Sequence, residues 1–330
     1  MSQISVTTDT YDVGSAGGNR EDLEDIIWEL EPLDTYCLTN FDRVKADATY
    51  HEWLKDTLDA PGANRQIEGD DLQASASTVN SPGRMGNYCQ ISRKDFLISR
   101  TQERVAKAGR KSEVKRQLKK KMRELKNDME YAIVRNQASS AGGSGTARSL
   151  ASIESWIPTT DNSGNGVLAT STASASTVGF SSGTVAAPTD GSTTGALSEA
   201  KFLEALELAW ADGGNASTVL VGSKQKKAIA QFDGIAPPQH NVTGRTKPVL
   251  HGDVDVYVTA FGTHNIILHR HVRDSVVLAL DPEYWAVAML DAPFMEKLAK
   301  TGDGEKHQLI AEYTLVCRNP DANGKVVACS

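Results

Sequence analysis

Residues 112–137, SEVKRQLKKKMRELKNDMEYAIVRNQ, place Val114, Leu118, Met122, Leu125, Met129 and Ile133 at spacings of four, four, three, four and four. That period makes one narrow apolar stripe on an amphipathic helix. Ser112 stands where an N-cap belongs, and the rod spans about 39 Å. From 107 to 126 the chain carries ten Lys or Arg against two Glu, a local charge of +8 inside a chain of net −7. The counterweight lies upstream: residues 21–34, EDLEDIIWELEPLD, hold seven carboxylates and no base. Matched charge predicts that this acidic segment packs near the basic helix of an adjacent subunit.

The stretch before the helix reads as a long polar β-arm. It runs out through residues 46–58 (ADATYHEWLKDTL) and returns through 87–99 (NYCQISRKDFLIS), joined by a tip rich in Gly, Ser, Asn and Asp. Each strand would span about 40 Å. A lone two-stranded hairpin is marginal in water, so the arm is expected to lie on another subunit. The tip, 62–86, has no periodic apolar face and is expected to order only on assembly.

Downstream, 149–157 (SLASIESWI) predicts a short amphipathic helix ending at Pro158, and 159–195 is low-complexity Ser, Thr, Gly and Ala, read as a surface loop or weak β-excursion. From Ser198 the pattern becomes a compact α/β unit. Ser198 caps a helix to Ala211 with Phe202, Leu206 and Trp210 on one face, stopped by Gly213 and Gly214. Strand 218–221 and a helix from Ser223 to Phe232 follow. Strands are then expected at 254–260, 265–269, 276–280, 285–290 and 307–318. Of these, 254–260 and 285–290 are expected to form the subunit's stable core.

Composition narrows the function classes. No apolar run approaches the roughly 20 residues of a membrane span, and the first eighteen residues lack the basic and apolar regions of a signal peptide, so folding in the cytoplasm without a membrane partner is expected. Cys37, Cys89, Cys317 and Cys329 form no C-x-x-C pair, which argues for reduced thiols rather than zinc ligands or disulfides. A pI near 5.6 is unlike that of a protein whose main task is gripping nucleic acid.

Catalytic motifs fare no better. His51-Glu52 has Lys55 where a metalloprotease helix needs its second His. Residues 142–145 and 302–306 lack phosphate-loop context, and no G-x-S-x-G elbow occurs. His269-Arg270-His271 is the best metal candidate, since alternate strand residues point the same way, with His251, Asp253, Asp255 and His264 nearby in sequence. A solvated strand edge explains it better, and an enzyme reading rests on this cluster alone. The expectation is therefore no catalytic residues, no cofactor and no metal. The competing function is a cytoplasmic nucleic-acid-binding protein using the basic helix 107–126, yet the apolar stripe runs through its basic portion and no zipper follows.

In order and spacing these segments resemble the major capsid proteins of tailed bacteriophages with the Hong Kong ninety-seven type capsid fold. The resemblance covers most of residues 20–320. It is carried by His51-Glu52-Trp53 with Asp56, Leu58, Ala60 and Pro61; by Ile67-Glu68-Gly69, Gly86-Asn87-Tyr88 with Gln90, Ser112-Glu113 and Asp128-Met129-Glu130-Tyr131-Ala132. Later come Arg148 with Trp156-Ile157, Phe261-Gly262, Leu298-Ala299-Lys300-Thr301-Gly302 and Arg318-Asn319-Pro320. One departure is Thr35-Tyr36-Cys37, where the family pattern would have Thr-Pro-Phe.

The resemblance implies an α+β fold with an N-terminal arm (1–45), an extended β-hairpin loop (46–100), a spine helix with part of a peripheral domain (101–195), an axial domain (196–290) and a return strand of the peripheral domain (291–330). It implies a structural, non-enzymatic function: self-assembly into the icosahedral shell around a double-stranded DNA phage genome. The implied partners are copies of the chain in pentamers and hexamers, a separate scaffold, a portal, a decoration protein and the packaged DNA, in a virion assembled in the host cytoplasm. The residues expected at subunit contacts are Glu21, Glu24, Asp25, Trp53, Glu68, Arg84, Lys115, Lys119 and Arg123.

Overall fold

The computed structural model describes residues 35–58, 61–63, 65, 67–69, 81–105, 111–159, 165–170, 175–232, 255–300 and 302–330. The long helix is Glu113–Val134, and the Ser112 hydroxyl accepts from the Lys115 amide at 3.4 Å, as an N-cap should. Leu125, Met129 and Ile133 of the predicted stripe are buried, whereas Leu118 and Met122 are half-covered. The C-terminal half therefore lies in the core, and the basic N-terminal half runs out along its edge.

Two sheets flank this helix. The four-stranded sheet is ordered Asp42–Lys45, Trp285–Lys297, Gly304–Cys317, Gln90–Ser99. Its long central pair is antiparallel from Trp285 opposite Cys317 to Lys297 opposite His307. The six-stranded sheet is ordered Val256–Thr259, Gly262–Leu268, Thr218–Val221, Val277–Leu280, Gly324–Val327, Gly166–Leu168. A shared apolar cluster joins Leu125, Met129 and Ile133 of the helix to Val287, Leu309 and Leu315 of the first sheet and Leu220, Leu278 and Leu280 of the second. The helix Glu199–Ala211, capped by Ser198, closes the other face of the six-stranded sheet through Phe202, Ala205, Leu206 and Ala209.

Several expectations need correction. The hairpin's return strand is Gly83–Tyr88, paired with Tyr50–Lys55, and its paired strands are far shorter than the expected 40 Å. Residues 90–99 are a separate strand along Gly304–Cys317. One residue, Cys89, separates the two, its amide held by Thr49 O at 2.8 Å. The helix expected over 149–157 is only Ile153–Trp156 and is buried all round. Gly166–Leu168 of the low-complexity stretch joins the six-stranded sheet, so that stretch is a β-excursion in part. Trp210 is 60% exposed and Ala209 takes the inward position.

Strand Val256–Thr259 is an edge strand whose Val256 and Val258 face outward, so it is not core. Alternation showed that one face is apolar, but the opposite face, with Tyr257 against Phe202 and Phe232, is the one that packs. Trp285–Lys297 belongs to the four-stranded sheet from its first residue, and Gly324–Val327 crosses back to the six-stranded one. Both fall on the other side of the expected division at residue 290.

Candidate assembly surfaces

The hairpin base is held by its own subunit. Trp53 Nε1 donates to Cys317 O at 2.9 Å, and its ring meets Trp156 at 5.5 Å. Asn87 Nδ2 donates to Leu315 O at 2.8 Å while its Oδ1 accepts from the Ala151 amide at 2.9 Å. Lys55 pairs with Asp321, and Tyr50 OH donates to Gly183 O at 2.9 Å. Trp53, one of the residues expected at a subunit contact, is half-buried and anchored within its own chain. Beyond this base the described residues of the hairpin are exposed. Leu54 is 66% exposed, Leu58 99% and Ile67 81%.

A second bare surface lies on the face of the four-stranded sheet turned away from the long helix. Lys94 pairs with Asp128 of the helix at 2.5 Å, so its odd-numbered neighbours Ile91, Arg93, Asp95 and Leu97 point outward. Register puts Glu312, Ile310, Gln308 and Lys306 beside them, with Phe294 beside Ile310. At the other end of this face, Ala286, Ala288 and Val316 are covered by Ala46, Cys89 and Trp53 of the hairpin base. The face is thus half covered from within, and Ile91, Leu97 and Phe294 continue it uncovered.

Polar groups tie the foot of the N-terminal segment to both layers. The short helix Tyr36–Asn40 has no cap bond from Thr35. Instead the fully buried Glu130 carboxylate accepts the Cys37 amide at 2.7 Å and the Leu38 amide at 2.9 Å. The His271 amide donates to His269 Nδ1 at 3.2 Å, which leaves the proton on Nε2, and Nε2 donates to Glu130 Oε1 at 3.0 Å. His271 Nε2 donates to Asn127 Oδ1 at 2.8 Å. Both imidazoles of the metal candidate are thereby hydrogen-bonding groups. His264 bonds Ala216 O and Thr259, and Asp255 pairs with Lys226. Among the described residues no group of three His, Cys, Asp or Glu is placed to hold a metal ion; His251 and Asp253 lie outside them.

A second polar knot sits where the six-stranded sheet meets Ile153–Trp156. Arg273 bridges Glu154 and Asp190. Beside it the fully buried Lys325 donates to Glu154 O at 2.9 Å and Thr177 Oγ1 at 2.8 Å. Burial pushes the Lys325 ammonium down to about 7, against the pull of Glu154. All four cysteines are buried, and burial raises the Cys89 thiol to about 11 and the Cys329 thiol to about 12.

Of the remaining expected contact residues, those that are described lie wholly or partly exposed. Glu68 is exposed in a turn, Arg84 lies 3.7 Å from Glu52 on the hairpin, and Lys115 and Lys119 stand exposed on the long helix with Arg123 half-buried. Glu21, Glu24 and Asp25 lie outside the described residues. Sequence reasoning missed Glu130 and Lys325: their partners are 139 and 148 residues away, and no local pattern signals such pairs. No helix among the described residues is long and apolar enough to cross a membrane.

Comparison with known proteins agrees with this architecture. The chain is 24% identical over 336 residues to the major capsid protein of Escherichia phage Phieco32, covering 89% of this chain and 90% of that one. Its fold matches the cyanophage A-1(L) capsid subunit with a TM-score of 0.63 at 12% identity, over 96% of this chain and 98% of that one. It matches the capsid of Myoviridae phage XM1 with a TM-score of 0.57 at 14% identity, over 93% and 96%. The family described as SU10 major capsid protein matches residues 5–330. With this family matching nearly the whole chain, and two sheets packed on a basic spine helix, the chain belongs to that family: it is a tailed-phage major capsid protein, the structural subunit of a virion shell.

Proposed function

We propose that the chain closes into an icosahedral head of pentamers and hexamers by laying the bare part of its hairpin on the uncovered outer face of a neighbour's four-stranded sheet. The carrying observation is the pair of unmatched apolar surfaces, Leu54, Leu58 and Ile67 on the hairpin and Ile91, Leu97 and Phe294 on the sheet. Among the described residues of a lone subunit nothing covers either, and exposed apolar surface of this kind marks interaction sites. One patch meeting a different patch is a heterologous contact, the kind that closes into rings. Glu68 and Arg84 ride on the same hairpin and would fix its register through charge.

In this reading the four-stranded sheet and spine helix form the peripheral domain. The six-stranded sheet, including Gly324–Val327 and Gly166–Leu168, forms the axial domain. Double-stranded genomic DNA lies inside, and assembly in the host cytoplasm uses a scaffold and a portal. A decoration protein on the outside is supported by one structural relative, the phage G capsid, which carries one.

The test is sedimentation and electron microscopy of the expressed chain beside the variant L54S/L58S/I67S. The substituted side chains are exposed, so the variant subunit should fold as the parent does, by circular dichroism, and fail to form closed particles. A variant that assembles like the parent would remove the hairpin from the contact.

A further inference from the structure

The strand Gln90–Ser99 borders the four-stranded sheet, and among the described residues no further strand pairs with its outer side. It runs in unbroken register with Gly304–Cys317, from Gln90 opposite Tyr313 to Ser99 opposite Gly304. Its ten residues, without a bulge, a proline or a glycine, make an edge about 33 Å long. An edge of this kind presents a row of unpaired N–H and C=O groups, which folded proteins commonly blunt with a lysine, a proline or a bulge. Here the one lysine, Lys94, is turned toward the spine helix and paired with Asp128. The edge is left able to pair.

Along its outward face the strand carries Ile91, Arg93, Asp95 and Leu97, all exposed. Reversed in direction, the same row is complementary to itself: apolar meets apolar and base meets acid. We propose that Gln90–Ser99 pairs antiparallel with the same strand of a second subunit across a two-fold axis at Lys94, joining two four-stranded sheets into one. In that register Ile91 lies opposite Leu97 of the partner subunit, and Arg93 opposite Asp95 of the partner subunit. Each pair occurs twice. Directly opposed side chains have Cβ atoms about 4.5–5.5 Å apart, within contact range. On the inward face Ser92 lies opposite Phe96 of the partner subunit, and the two Lys94 side chains meet at the axis, each neutralised by the Asp128 of its own chain.

Charge fixes the register. An axis at Arg93 would set that residue against its own copy, and an axis at Asp95 would do the same for the carboxylate; like charges directly opposite are destabilising. The axis stands perpendicular to the sheet, so the outward faces of both subunits stay on one side, as two subunits in one shell wall require. A second copy is the occupant because the row matches itself, which is what an isologous contact needs. The hairpin laid on a neighbour's sheet is a heterologous contact and closes rings. Edge pairing does not rest on it and links a subunit of one ring to a subunit of the next.

The experiment uses full-length subunits carrying R93D or D95R, substitutions at exposed positions whose effect on folding is checked by circular dichroism. Each variant alone sets like charges across the axis, and sedimentation should show self-association weakened by about tenfold or more. Each also breaks the 3.1 Å pair of Arg93 with Asp95 inside its own strand. An equimolar mixture of the two leaves those internal pairs broken but restores opposite charges between the chains, so association should return as heterodimers. Oxidising a mixture of R93C and D95C chains should link the two variants, while neither should link to itself, the native cysteines being buried. Adding L54S/L58S/I67S to both chains should leave that link intact, which separates this contact from the hairpin's. Single variants that associate like the parent would overturn the proposal. So would a mixture no better than either variant, or R93C linked to itself.

Discussion

Lys325 is the buried group whose ionisation can be read directly in the stability of the subunit. Its strand, Gly324–Val327, lies between Val277–Leu280 and Gly166–Leu168, so both sides of the backbone are paired and the side chain has no path to solvent. The ammonium is served by Glu154 O and Thr177 Oγ1, with the Glu154 and Asp190 carboxylates already engaged by Arg273. Burial lowers its affinity for the proton from 10.5 to about 7. A depressed cation costs stability wherever the folded state must keep it charged. The cost is full below pH 7 and is relieved as pH rises toward 10.5, because there the unfolded chain binds the extra proton.

The substitution K325M removes the titration and keeps an unbranched side chain of similar length. Between pH 7 and pH 9 the parent should gain about 2 kcal/mol from Lys325 relative to the variant, from the difference in protons bound over that window. The window stops at 9 because Cys89 and Cys329 stay protonated in the fold to about 11 and 12, whereas unfolded thiols ionise near 9, which reverses the slope. At pH 9 the variant should be the less stable by about 1–3 kcal/mol, since Glu154 O loses its donor and Thr177 Oγ1 its partner. At pH 7 the deficit should largely vanish. Urea unfolding of reduced, unassembled subunits at pH 7, 8 and 9, followed by fluorescence of the buried Trp156 and Trp285, measures both. A parent-minus-variant difference that stays constant across the three pH values would show that Lys325 keeps its proton in the fold, and the argument from burial would fail.

Other expectations follow from burial and geometry. V256D should leave the subunit soluble because Val256 is outward on an edge strand, while L278D, at a fully covered position, should send the chain into inclusion bodies. W53A should cost about 2–4 kcal/mol of local stability, visible as faster amide exchange in Tyr50–Lys55 and Gly83–Tyr88 with the sheets unaffected. G214A should lower the melting temperature, since the new methyl would sit 2.1 Å from Ala322 O, a backbone atom that cannot rotate away. E130Q keeps one oxygen for two amides and should free the N-terminal foot, read as faster trypsin cleavage at Arg20 in a subunit that still folds; an unchanged cleavage rate would show that the foot is held elsewhere.

The legible parts of the fold were those written in adjacent residues. Ser112 and Ser198 announce helices because the cap and the stripe lie within one or two turns, and Thr218–Val221 stands between clear stops. What failed was pairing. The alternation in 83–99 runs on through Cys89 although the partner changes there from Tyr50–Lys55 to Gly304–Cys317. Alternation reports which side chains share a face and is silent on which strand lies alongside. Val256 was misjudged for a related reason: a β-branched residue on an edge looks like one in the core until the sheet order is known. Trp210 shows a limit of helical periodicity, since at the last turn of Glu199–Ala211 the sheet has ended and the inward place is filled by Ala209.

Of the candidate surfaces, the arm was legible in sequence, whereas the open face of the four-stranded sheet depends on strand pairings that no local pattern shows. The runs at 21–34 and 107–126 stand out in sequence, but Glu130, His269 and Lys325 look like ordinary surface residues until the fold buries them. Their burial is better understood as a means of fixing geometry than as a source of stability, because ion pairs taken out of water roughly break even. Glu130 meets the foot of the N-terminal segment and, through His269, the end of the six-stranded sheet. Arg273 and Lys325 join that same sheet to Ile153–Trp156, which packs on the four-stranded one. Apolar contact between two sheets tolerates sliding and repacking, whereas a carboxylate with three donors has one arrangement in which all are satisfied. A subunit that must present its hairpin and its open sheet face to neighbours at a fixed angle needs the relation between its two sheets specified, and these two knots are placed where that relation is set.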